Sequence, residues 1–249
     1  MSLSVVIITR NEADAIRNCL ESVRFADQIV VLDSGSSDGT PEICRGLGAE
    51  VFESVEWPGF GPQKNRAIAR ASGDWVLSLD ADERVTPELR AEIEHALAAP
   101  EADAYRVPRL SRYLTRYMRH SGWHPDHVTR LFRRGRARFS DDLVHERLIV
   151  DGNIATLRGP LLHEAFTSAE EVLEKVNRYS SAGAQMAAAR GRRTSLAGAV
   201  LRGAWTFFRT YVLKAGFLDG REGFMLAVSN AEGTYYRHVK LMLLNEKRP

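Results

Sequence analysis

Two carboxylates one residue apart, Asp80 and Asp82, close the run Trp75-Val76-Leu77-Ser78-Leu79-Asp80-Ala81-Asp82-Glu83. The residues before them are apolar and strand-forming. Side chains alternate along an extended chain, so the two acids are expected on one face and Glu83 on the other, outside the set that touches a ligand. Same-facing acids at the end of a buried strand repel each other and lose solvation. A divalent cation with oxygen ligands relieves both costs, and Mg²⁺ or Mn²⁺ then bridges to substrate phosphates. The plainer alternative is an acid-rich turn leading into a helix N-terminus.

The elements around this run are those of a parallel sheet. Leu3 to Ile8 is a continuous apolar run, as in a strand buried on both faces, and Asn11 is placed to cap the helix carrying Ile16, Cys19, Leu20 and Val23. Ile29 to Leu32 is a second strand ending in Asp33; Thr40-Pro41 opens a helix; Val51-Phe52 is a third strand; Gln63 to Ala71 is helical; Thr86-Pro87 opens another helix. Strands alternating with helices at this spacing predict a parallel sheet covered on both faces, with ligands beyond the strand carboxyl ends. Thr9, Asp33, Asp80 and Asp82 all fall at such ends and should converge on one crevice. Asp38 is expected to cap its helix.

Composition excludes several classes. The 249 residues are 44% hydrophobic and 27% charged with net charge +2, which fits neither a disordered nor a fibrous chain. Cys19 and Cys44 make no disulfide framework and read as buried thiols in a reducing compartment. The N-terminal apolar run is short and has no basic region before it, so it reads as a strand rather than a signal peptide. No apolar stretch is long enough for a simple membrane span.

Four pieces in order, Val5-Val6-Ile7-Ile8-Thr9-Arg10-Asn11-Glu12, residues 30–40 (VVLDSGSSDGT), Gln63-Lys64-Asn65-Arg66-Ala67 and Ser78-Leu79-Asp80-Ala81-Asp82-Glu83, resemble the family 2 glycosyltransferases. The resemblance spans residues 3–163 and implies a GT-A fold: a nucleotide-sugar-binding, Rossmann-like α/β domain with a mostly parallel sheet. Residues 1–165 would then be catalytic and 166–249 a helical extension. The tail pieces RLFRR, VHERL, LLH and FLDGREGF resemble the subgroup that adds a sugar, as a β-glucosyltransferase, to the inner core of lipopolysaccharide.

The resemblance implies roles. Thr9, Arg10, Glu12 and Asp33 would line the nucleoside pocket, with Asp33 accepting from uracil, so the donor would be a UDP-sugar. Gln63, Lys64 and Asn65 would face it; otherwise Lys64 is a solvated surface charge. Asp80 would contact ribose or metal-bound water. Asp82 would bind Mn²⁺ or Mg²⁺, with His163 as a late histidine ligand; a lone histidine after an apolar strand is otherwise a core residue satisfied by a hydrogen bond. Arg130 or Arg133 would meet the diphosphate. Inverting transfer needs one base for the acceptor hydroxyl. The family carries an acidic pair where this chain has His145-Glu146, so Glu146 is favoured, with His145 and Asp142 as alternatives.

From Arg106 to Arg138 there are ten arginines and one acid, Asp126, interleaved with Tyr113, Tyr117 and Trp123. Arginine suits bidentate phosphate contacts, so a phosphorylated acceptor or an anionic membrane fits; nucleic acid is the alternative and is not expected. His120, His124 and His127 lack a cysteine partner, and zinc is not expected there. Residues 196–214 form a broadly apolar helix with Arg202 and Arg209 on one narrow stripe, which suits a membrane interface, a homodimer or a face packed under the catalytic domain. Residues 217–224 read as a loop between helices. Together these features predict a cytoplasmic enzyme, peripheral on the inner face of the cytoplasmic membrane, moving a hexose from a UDP-sugar to a lipopolysaccharide-precursor acceptor, with a polyprenyl phosphate or other glycan as the second acceptor class. Intact Asp80 and Asp82 argue against an inactive membrane scaffold.

Overall fold

The structure is a computed structural model that describes residues 1–141 and 147–246. The chain forms two compact units. The first joins Met1–Arg109 to Asp126–His163, and the second joins Leu110–Pro125 to Glu164–Pro249. Residues 110–125 therefore belong with the helical tail, although the sequence pattern groups them with the catalytic region.

In chain order the elements are β1 (Leu3–Thr9), α1 (Ala13–Ser22), β2 (Gln28–Asp33), α2 (Thr40–Gly46), β3 (Glu50–Glu53), α3 (Phe60–Ile68), β4 (Trp75–Asp80), β5 (Glu83–Val85), α4 (Pro87–Ala98), β6 (Ala104–Tyr113), β7 (Arg116–Tyr117), β8 (Asp126–Arg133), β9 (Ala137–Phe139), β10 (Leu148–Val150), β11 (Ile154–Thr156), β12 (Leu161–Phe166), α5 (Ala169–Ala189), α6 (Leu196–Phe208) and α7 (Gly220–Glu246). A π-helical turn, Arg209–Leu213, and a 3₁₀ turn, Gly216–Asp219, lie between α6 and α7.

The sheet of the first unit follows the order β3-β2-β1-β4-β8-β6-β12-β5. The strands β3, β2, β1 and β4 are parallel. Beyond β4 the pairing turns antiparallel, with β8 against both β4 and β6, and β5 against β12. Burial on both faces explains the unbroken apolar strands. Val5 and Ile7 point into one core with Trp75, Leu77 and Leu79, while Val6 and Ile8 point into the other with Val30, Leu32 and Phe132. Cys19 and Cys44 are buried in the first of these cores.

Local signals mostly hold. Thr86 caps α4 by accepting from Leu89 N, and Ser195 caps α6 from Gly198 N. Asn11 does not cap α1. It adopts φ 56 and its side chain accepts from Ser37 N, while Asp38 accepts from Ala13 N in the first turn of α1. Asp38 also accepts from Thr40 N and Oγ1 at the start of α2, so one carboxylate ties both helix starts.

In the second unit, residues 217–224 are not a loop: the 3₁₀ turn ends at Asp219 and α7 begins at Gly220. Asp219 is fully buried and accepts from Arg119 N, His120 N, His120 Nδ1 and Ser121 Oγ. Glu222, one turn on, accepts from Thr115 Oγ1 at 2.7 Å. These two acids fold the 115–121 segment onto the start of α7. Glu164 in β12 accepts from Tyr117 Oη and pairs with Arg112 at 3.0 Å. Asp219→Ala removes the acceptor of two partly buried backbone N–H groups, and each such bond is worth about 0.5–1.5 kcal/mol. Urea unfolding should show a lower midpoint with an unchanged slope; Asp219→Asn, which keeps acceptor oxygen, should lose less.

Candidate active site

The carboxyl ends of β1, β2 and β4 meet at one edge of the parallel half-sheet, since Thr9 registers with Asp33 and Ile8 with Asp80. The strand β4 ends at Asp80, and a turn at Ala81-Asp82 leads into β5. The alternation expected from Asp80 to Asp82 therefore stops at Asp80, and the two acids take different partners. Lys64 Nζ on α3 lies 2.8 Å from Asp80 Oδ1. Arg130 Nη2 on β8 reaches Asp80 Oδ2 and, at 2.6 Å, Glu83 Oε1.

Glu83 is thus a correction to the sequence reading. The turn folds it back so that its side chain is wholly buried and its Oε2 accepts from Asp80 N at 3.0 Å. Burial pushes the Glu83 carboxyl up, against the pull of Arg130. Burial works the same way on Asp80, but Arg130 and then Lys64 overcome it, and Asp80 titrates well below the ordinary carboxylate range. The Arg130 guanidinium is held cationic by Asp80 and Glu83 despite its burial.

Asp82 lies beside His163, with Oδ2 3.3 Å from Nε2. The pairing of β5 with β12 sets this contact, because His163 registers with Glu83, the residue after Asp82. The other oxygen, Asp82 Oδ1, is buried and accepts no hydrogen bond among the described residues. Glu12 adds a further acid. Burial first, then the charges of Asp82, Asp38 and Asp80, push its carboxyl up to about 7.

Among the described residues three cations, Lys64, Arg109 and Arg130, pair with Asp80 and Glu83, and none of them pairs with Asp82 or Glu12. The surplus negative charge sits at Asp82 and Glu12. An orphaned carboxylate oxygen next to an imidazole fits a divalent ion that keeps water and substrate phosphate as its remaining ligands. Among the described residues no cluster of three His, Cys, Asp or Glu side chains could hold a metal by itself.

Thr9 and Asp33 form the floor. Thr9 Oγ1 donates to Asp33 Oδ1 at 2.9 Å, and Asp33 also accepts from Gly35 N, Ser36 N and Ser36 Oγ. Gly35 at φ 80 lets its N–H turn back to the carboxylate. These four donors match the acceptor capacity of a carboxylate. Asp33 is therefore the organiser of the 34–36 loop. Gln63 is fully buried; its Nε2 donates to Ser34 Oγ at 3.0 Å, and its Oε1 accepts nothing among the described residues. Arg10 is exposed at the end of β1.

Asn65 departs from the expectation that it faces a donor. Its Nδ2 donates to Phe139 O at 2.9 Å and its Oδ1 accepts from Phe139 N at 2.8 Å, a two-bond clasp that docks α3 on β9. The same clasp sets the Phe139 ring 5.1 Å from Lys64 Nζ. Just beyond, Ser140 N donates to Arg147 O and Arg147 N donates to Ser140 Oγ. Glu146, His145 and Asp142 lie outside the described residues. Arg133 is not in the cluster; it lies over the Trp75 ring and 3.9 Å from Asp103.

Sequence reasoning missed Glu83 although its letter stood next to the two aspartates, because only the turn at 81–82 reveals where it points. The clasp role of Asn65 left no sequence signal, since Phe139 is 74 positions away.

The glycosyl transferase family 2 model matches residues 4–161. A lipopolysaccharide core biosynthesis glycosyltransferase, LpsC of Rhizobium meliloti, is 32% identical over 96% of this chain and 93% of its own length. An uncharacterised glycosyltransferase of Rickettsia prowazekii is 30% identical over 98% of this chain and 88% of its own. Among solved structures, S. aureus TarS 1–349 in complex with UDP-GlcNAc superposes with a TM-score of 0.52 at 15% identity, covering 99% of this chain and 92% of that one. The fold is the GT-A fold.

Arg130→Met removes the shared cation and leaves Asp80 to Lys64 and the buried Glu83 only to Arg109, 3.8 Å away. Breaking a buried pair in this way costs about 3–5 kcal/mol. The loss should be largest near neutral pH and should shrink as pH falls, because Glu83, already raised, takes up a proton and no longer needs the guanidinium. Thermal unfolding of the variant and the parent at several pH values between about 5 and 8 checks this.

Proposed function

The chain belongs to glycosyl transferase family 2, and we propose that it moves a hexose, in the first instance glucose, from a UDP-sugar to a lipopolysaccharide inner-core acceptor, a phosphorylated heptose, with inversion at the anomeric carbon. The observation that carries this reading is the Asp82–His163 pair, with its orphaned Oδ1, set beside the cation-bound Asp80 at the carboxyl edge of the parallel strands. The acceptor class draws support from the name of LpsC, a relative aligned over nearly the whole chain. The uridine reading rests on the family resemblance around Thr9, Glu12 and Asp33.

In this reading Asp82 and His163 would hold a Mn²⁺ or Mg²⁺ ion, which would supply positive charge for the diphosphate and the UDP leaving group. Lys64 and Arg130 keep Asp80 ionised, so that it can accept from ribose or from water. Thr9, Asp33 and Gln63 shape the nucleoside wall through the 34–36 loop, and Asn65 acts by holding β9. The acceptor oxygen bonds to the anomeric carbon as the bond from that carbon to the phosphate oxygen breaks. UDP leaves with the electron pair, and the hydroxyl proton passes to a base. Glu146 is that base, with His145 and Asp142 as the alternatives.

The acceptor would be met at the inner face of the cytoplasmic membrane, with the enzyme peripheral. Among the described residues no helix is long and apolar enough to cross a membrane. A homodimer is the alternative use of the tail, and a polyprenyl phosphate the alternative acceptor. A nucleic-acid role for the arginine-rich middle loses ground, because Arg109, Arg112, Arg130 and Arg136 are each paired with a carboxylate within the protein.

Thermal unfolding with UDP, with and without Mn²⁺, tests the donor site. Ligand at about 100 times its Kd adds roughly 2.7 kcal/mol, on the order of 5–10 °C for a chain of this size. The shift should require both components and should vanish in Asp82→Ala, whose unliganded midpoint stays near that of the parent. A full shift in that variant would overturn the metal assignment.

Glu146→Gln should keep the UDP and Mn²⁺ shift while transfer from UDP-glucose slows by roughly 10²–10⁴. An undiminished rate would move the base to another residue.

A further inference from the structure

The second unit carries a surface that the transfer chemistry does not use. From Lys175 to Leu218 the sequence has eight basic residues and not one acid. Within that stretch α6 and the two turns after it expose large apolar side chains: Leu196, Leu201, Trp205, Phe208, Leu213 and Leu218 are all exposed, Leu201 at 70% and Leu213 at 59%. Ring contacts join the turns to the start of α7. Tyr211 touches Phe207, Phe217 and Phe224, with centroids 5.5 to 6.3 Å apart, and Phe217 and Phe224 are about half exposed. On the inner side, Ala199, Gly203 and Thr210 are buried. Gly203 takes α6 close to α7, because a Cβ there would stand 3.3 Å from the Ala231 carbonyl oxygen. Phe207 and Tyr211 pack on Phe224 of α7 and small residues make the closest approach, while Leu196, Leu201, Trp205, Phe208 and Leu213 are left exposed.

We infer that this face seats on an anionic lipid bilayer, with the apolar side chains of α6 and the following turns in the headgroup–acyl boundary and the arginines at the phosphates. Charge decides between lipid and a second copy of the chain. Arg192, Arg193, Arg202, Arg209 and Lys214 are all exposed along the face with no carboxylate among them in sequence, so a symmetric self-pairing sets like charges together. An anionic leaflet supplies the opposite charge everywhere. The helix is too short to span, so the apolar residues can enter only the interface. This inference deepens the membrane reading given above but uses none of the donor chemistry, and vesicle binding can fail while sugar transfer stands.

The test is co-sedimentation of the full-length protein with vesicles of phosphatidylcholine alone and of phosphatidylcholine with phosphatidylglycerol. Binding should need the anionic lipid and weaken with salt. Arg192→Ala with Arg193→Ala should lower the partition coefficient about fivefold per arginine. Leu201→Ser with Trp205→Ser should reduce it further, with the UDP and Mn²⁺ thermal shift unchanged as proof of folding. Equal binding to neutral vesicles, binding unaffected by both double variants, or a dimer in solution that the Leu201→Ser, Trp205→Ser variant dissociates would each overturn the inference.

Discussion

Arg130 is the side chain on which the catalytic unit turns. It comes from β8, the first antiparallel strand after the parallel half of the sheet, and reaches the acids at the end of β4 and the start of β5. A buried ion pair of this kind adds little net stability, because desolvation offsets the attraction. What it supplies is geometry: the guanidinium can satisfy Asp80 and Glu83 together only if the chain turns at residues 81–82. That turn separates Asp82 from Asp80 and delivers it to His163 across the β5–β12 pairing. Arg130, with Lys64 at Asp80 and Arg109 at Glu83, thus sets a compensated pair of acids apart from Asp82 and Glu12.

The remainder gives the site its chemical character. Glu12 has its carboxyl raised toward neutrality, and Asp82 keeps one buried oxygen without a donor among the described residues. Both features describe negative charge that the protein assembles without neutralising. Around it the loops are pinned by acids that the protein does satisfy. Asp33 holds the 34–36 loop, and Asp38 ties the starts of α1 and α2. Saturated carboxylates build the walls, and Asp82 stands apart from them with one oxygen unpaired among the described residues.

The second unit repeats the device of the saturated acid. Asp219 and Glu222 organise the 115–121 segment from the start of α7, and Glu164 anchors Arg112 and Tyr117. Asp219, Glu222 and Glu164 lie at folded junctions of this unit, and the basic, apolar stretch of α6 has no acid. That partition leaves one surface with a single sign of charge.

The sequence by itself determined the parallel strands and the identity of the residues at their carboxyl ends. Burial on both faces demands unbroken apolar runs, and proline and hydroxyl residues mark the helix starts, so these signals are local and legible. Through a family resemblance it also put Asp82 and His163 forward as ligands of one metal ion, and the fold sets the two side chains 3.3 Å apart. Only the tertiary structure decided what the remaining polar residues do. Asn65 clasps Phe139, Asp33 organises the 34–36 loop, Asn11 turns to Ser37, and Glu83 folds back under Asp80. A polar side chain can be satisfied by any donor or acceptor the fold brings within about 3 Å. That choice depends on residues far apart in sequence, and no pattern along the chain carries it.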